Sequence, residues 1–154
     1  MSRPRLLLLA LAALMLAVAG CGTESRLSKG AYEGVLTKTG KELAEASTAL
    51  AEAKTGEEFV SGAEQIQEGL RRAADDLDDV RPPKDVDAAN DRFVDALRGL
   101  ADEFDKVRVA AKGGAKQARE AGARLARSQP SEEARQAILE IERRGYSVGL
   151  LSST

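Results

Sequence analysis

At 154 residues, with 43% hydrophobic and 31% charged side chains, the chain holds enough apolar material for one domain of ordinary size and too much for a disordered polymer. Aromatic residues make up 3%, Trp is absent and much of the apolar fraction is alanine, which disfavours a sheet protein and predicts a thin helical core. With no His, one Cys and a formal net charge of −2, the chain lacks the commonest general base, an internal disulfide, a cysteine-rich metal cluster and the basic surplus of a nucleic-acid binder.

The N-terminal element reads as an export address. Arg3 and Arg5 precede an uninterrupted apolar run over residues 6–19. Fourteen such residues rise about 21 Å as a helix, short of the roughly 30 Å that a permanent membrane span requires. The run ends in Val18-Ala19-Gly20-Cys21, a branched apolar residue, two small ones and the cysteine. This tetrad resembles the lipobox of bacterial lipoproteins, a likeness confined to residues 1–21. The resemblance implies that the Cys21 thiol receives a diacylglyceryl group, that a signal peptidase cuts between Gly20 and Cys21, and that membrane lipid holds the mature chain. The expected location is the outer, extracytoplasmic face of a cell membrane. Two or three acyl chains, at about 0.8 kcal/mol per buried CH₂, anchor a protein where a single chain does not.

After a short tether over residues 21–26, the apolar positions alternate by four and three, the spacing of helices that pack lengthwise. Tyr32, Leu36, Thr39, Leu43, Ala46, Leu50 and Ala53 form the first run. Phe59, Ala63, Ile66, Leu70, Ala73, Leu77 and Val80 form the second. Between them Thr55 and Glu58 have the spacing of a capping box. Pro82-Pro83 stops the second helix, since each ring removes a donor and disfavours helical angles before it. Val86, Asn90, Phe93, Leu97, Leu100, Phe104, Val107 and Ala111 mark a third helix up to Gly113-Gly114. A rival layout carries that helix through the glycine pair to Ser128, at a cost of about 2 kcal/mol against alanine. Ala115, Ala118, Gly122 and Leu125 continue a narrow face to a break at Pro130, and Ala134, Ile138 and Ile141 carry a last helix capped by Gly145. Short connections predict an all-α, elongated, antiparallel up-down bundle of three to four long helices over residues 27–145, the last split near Pro130, with a tail over 146–154.

Two charged features stand out. Asp75, Asp76, Asp78 and Asp79 crowd the end of the second helix and are weak calcium candidates, because the EF-hand alternation and central glycine are missing. Arg108, Lys112, Lys116, Arg119 and Arg127 fall within about one third of the circumference at roughly 100° per residue on a continuous helix, a stripe suited to an anionic partner such as a wall polymer or an acidic protein. Asn90 and Thr39 interrupt apolar stripes and are expected to fix helix register or to pair with each other. No nucleophile has the context of a hydrolase: Ser25 and Ser28 beside Lys29 lack supporting partners. The expectation is a non-enzymatic envelope protein without a cofactor, acting through protein or wall contacts. The alternative is a carrier of a small ligand or metal ion with a pocket between helices.

Overall fold

The computed structural model describes residues 25–153, and within them every regular element is helical. Residues 1–24, with the predicted cleavage and lipidation at Gly20 and Cys21, lie outside the described residues. The helices are α1 (Lys29–Glu52), α2 (Gly56–Asp78), α3 (Asp87–Ala111), α4 (Ala115–Leu125) and α5 (Gln129–Arg143), followed by a 3-10 turn over Gly149–Ser153. None of these is long and apolar enough to cross a membrane.

Local chemistry sets most of the boundaries. The Ser28 hydroxyl accepts from the Ala31 amide at the start of α1. Thr55 and Glu58 close the capping box at α2, and the Glu58 carboxyl, accepting from the Lys54 and Thr55 amides, is held below its ordinary pKa. Gly114 adopts φ 114°, a left-handed angle that a side chain would strain, and this ends α3 and turns the chain back. The rival continuous third helix is therefore absent. The fourth helix is split near Pro130, as expected, but the break falls at residues 126–128. Pro130 lies in the first turn of α5, where a missing amide hydrogen costs nothing, and Ser128 caps that turn.

Cross-helix contacts give the directions. Lys38 meets Asp76 while Leu50 meets Gly62, so α1 and α2 run antiparallel. Gln67 donates to the Ala101 carbonyl while Arg98 reaches Asp75 and Asp78, so α2 and α3 do too. Pro130 faces Gly99 and Arg92 pairs with Glu140, which runs α5 back along α3. These pairings fit the up-down order expected from the short connections. Burial is greatest between α2 and α3, where Ala73, Ala74, Leu77, Phe93, Leu97 and Ala101 are almost wholly enclosed. α1 lies on α2, and α4 and α5 lie on α3, but α1 makes no run of contacts with α4 or α5. The tail crosses this open seam: Tyr146, Val148 and Leu151 are buried, and Leu151 reaches Gly40 of α1.

Candidate functional site

The seam between α1 and α5 leaves an apolar surface uncovered in the interior of the bundle. Ile66 and Leu70 of α2 and Phe93, Leu97, Leu100 and Phe104 of α3 form its floor. Gly40, Leu43, Ala44 and Ser47 of α1 form one wall; Leu125 of α4 and Ser131, Ala134 and Ile138 of α5 form the other, with Leu150 and Leu151 of the tail at one end. The cleft encloses about 420 Å³, within the range of small-molecule sites. A second hollow of about 450 Å³ shares Leu100, Ser131, Ala134, Ile138 and Leu151 with it and opens over α5 past Arg135 and Leu139. The cleft therefore communicates with solvent along the edge of α5. Apolar residues reach the mouth as well, with Leu150 50% and Leu139 38% exposed.

The other sequence candidates take different places. The acidic group at the end of α2 is divided among cations: Asp76 lies 2.6 Å from Lys38, and Asp75 and Asp78 lie 3.4 and 2.8 Å from Arg98. Asp79 occupies the C-cap of α2. Among the described residues no group of three His, Cys, Asp or Glu could hold a metal ion. The basic residues do not share one helix face. Arg108 and Lys112 sit at the end of α3, the chain reverses at Gly114, and Lys116 and Arg119 lie on α4, with Arg127 in the turn after it. Arg108 is paired with Asp105 at 3.0 Å, and the Arg119 guanidinium stands 5.4 Å from the centre of the Phe59 ring. Lys112, Lys116 and Arg127 form no ion pair with a described residue.

No family model, curated protein or solved structure matches this chain.

The base of the bundle holds the polar group that sequence reasoning placed only in part. Asn90 is buried, accepting from the Tyr32 hydroxyl at 3.0 Å and donating to the Leu77 carbonyl at 3.2 Å. It pairs with Tyr32 rather than with Thr39, because antiparallel packing sets the first turn of α3 opposite the first turn of α1, and Thr39 lies two turns further up. Tyr146 stacks edge-on against Tyr32 with ring centres 5.8 Å apart, and its hydroxyl donates to Asp85 at 2.9 Å. Burial pushes the Tyr32 phenol well above its ordinary pKa, and desolvation together with the bond to Asp85 raises that of Tyr146. Both hydroxyls act as donors, and the two rings tie the first turn of α1, the α2–α3 turn and the tail together. No buried side-chain nitrogen or oxygen among the described residues lacks a partner. The first described residues lie at this end: the Leu27 amide donates to the Arg81 carbonyl at 2.7 Å, and Arg26 bonds the Pro82 carbonyl and Asp87.

Proposed function

We propose that this chain is a lipid-anchored extracytoplasmic protein, built as an elongated up-down bundle, that binds an apolar ligand in the open seam between α1 and α5 without chemically altering it. The cleft is the observation that carries the proposal. Where α2 and α3 meet, their apolar faces close on each other. α1 and α5 are instead held apart, and hydrophobic side chains line the gap. The lining offers aliphatic and aromatic surface with two hydroxyls and no charge, a surface for binding and not for catalysis. The tetrad ending at Cys21 supplies the anchor. Arg26 lies against the turn between α2 and α3, so that turn faces the membrane and α1 points away from it.

A thermal-unfolding series on the mature chain tests the carrier function. A ligand at about one hundred times its Kd stabilises by about 2.7 kcal/mol, a rise of several degrees in Tm for a domain of this size. We expect such a rise with apolar ligands and none with Ca²⁺. A flat response across an apolar panel removes the carrier function. Contact with an anionic wall polymer or an acidic protein is the second proposal. It is favoured by Lys112, Lys116 and Arg127, which lack ion-pair partners among the described residues and lie away from the end where the tether enters.

A further inference from the structure

We infer that the cleft takes one linear aliphatic chain of a membrane lipid, laid along the bundle axis with its polar head outside. This rests on the carrier proposal above and adds the class and source of the ligand. Chemistry restricts the occupant first. The two hydroxyls of the lining are already engaged, Ser47 donating to the Ala44 carbonyl at 2.8 Å and Ser131 to the Leu125 carbonyl at 2.7 Å. A carbonyl or carboxylate inside would give up its hydrogen bonds to water and find no free donor in their place. Hydrocarbon enters without that cost.

Shape restricts it further. α3 lines the cleft from Phe93 to Phe104, a rise of about 16 Å. Spread along that length, about 420 Å³ leaves a mean cross-section on the order of 25 Å², whereas a helix of roughly 10 Å diameter needs about 80 Å². The groove cannot take in the full girth of a partner helix, whereas a single extended chain lies wholly within it. One leaflet of a bilayer is about 15 Å deep, half of its roughly 30 Å hydrocarbon core, so the cleft is as long as the chain of an ordinary membrane lipid. Leu151 closes the end nearest the tether, where a Cβ on Gly40 would stand 3.3 Å from its Cγ. The head therefore lies toward Ser47 and Leu125, where α1 and α4 leave the seam open. The proposed anchor holds the bundle beside a source of such chains, from which a lipid leaves the bilayer to enter at the end away from the tether. Cys21 stands four positions before Ser25, a reach of at most about 14 Å of extended chain.

Trp is absent from the sequence, so a single introduced indole reports on its own position. Ser47→Trp places one at the far end of the cleft; Val109→Trp places one on an exposed site of α3 outside the lining, 59% exposed in the parent. Each full chain, with helicity matched to wild type by circular dichroism, is reconstituted through its anchor into phosphatidylcholine vesicles with either ordinary or brominated acyl chains. Bromine quenches an indole on contact. We expect the Ser47→Trp chain to lose most of its emission in brominated vesicles and the Val109→Trp chain to keep its own. No loss at Ser47→Trp overturns the inference, and so does equal loss at both positions, which would mean that the bundle lies flat on the bilayer. Vesicle flotation reads the anchor separately. A chain that fails to float is given brominated stearic acid in solution. There, quenching confined to Ser47→Trp supports an acyl chain in the cleft, and its absence overturns it. Thermal shifts with compact ring compounds and none with linear chains would likewise overturn this inference while leaving the carrier function standing.

Discussion

The Tyr32–Asn90 pair shows how one buried bond fixes the base of the bundle. Tyr32→Phe leaves the Asn90 amide oxygen without its donor in a fully enclosed place, and a stranded acceptor of that kind costs about 1–3 kcal/mol. Asn90→Leu strands two groups, the Tyr32 hydroxyl and the Leu77 carbonyl at the end of α2, and should cost more. The double variant should cost less than the sum of the singles, because the Tyr–Asn bond is then absent from both sides; urea midpoints of the four proteins give the coupling directly. Strict additivity would show that the bond contributes nothing. Asn90 was legible as a register-setting residue because it interrupts an apolar stripe. Its partner was not, because pairing depends on which end of α1 lies opposite, and periodicity within one helix carries no such information.

At the scale of elements, the four-three spacing located the helical runs closely, with Thr55, Pro82-Pro83 and Gly113-Gly114 punctuating them where caps and breakers act. The break after α4 was set one step too late. A proline is visible in sequence as a stop, yet in the first turn of a helix it is a start, and Ser128 decides between the two by capping. The basic stripe dissolved for a related reason: counting 100° per residue across residues 108–127 assumes a helix that the Gly114 turn interrupts. Close packing of α1 on α2 depends on glycine in a way that composition does not reveal. A Cβ on Gly62 would lie 2.8 Å from the Leu50 backbone, whereas one on Gly34 meets nothing within 4 Å. Gly62→Ala should therefore destabilise by about 1–3 kcal/mol through forced separation of the helices. Gly34→Ala should stabilise by up to about 1 kcal/mol through helix propensity. Opposite displacements of the two urea midpoints are the expected result, and equal ones would refute the packing argument.

For the whole molecule, the all-helical class followed from composition and spacing, but the cleft did not. Spacing marks which face of a helix is apolar without stating what covers it, so Leu43, Leu100 and Ile138 read as ordinary core positions. Attachment is tested at this scale. Cys21→Ala should leave the helical signal and Tm of residues 25–153 unchanged while the chain no longer partitions with membranes; unchanged partitioning would remove the anchor. The tail carries one more implication. Ser147 bonds Glu33 across 114 positions, Tyr146 covers Tyr32 and Leu151 stops the cleft, so α1 receives part of its cover from a segment made long after it. For a chain exported N-terminus first, the order of emergence opposes the order of completion. On the proposed export route α1 would emerge with the Tyr32 ring uncovered until the tail followed, and a product cut short of Tyr146 would present that surface to quality-control proteases.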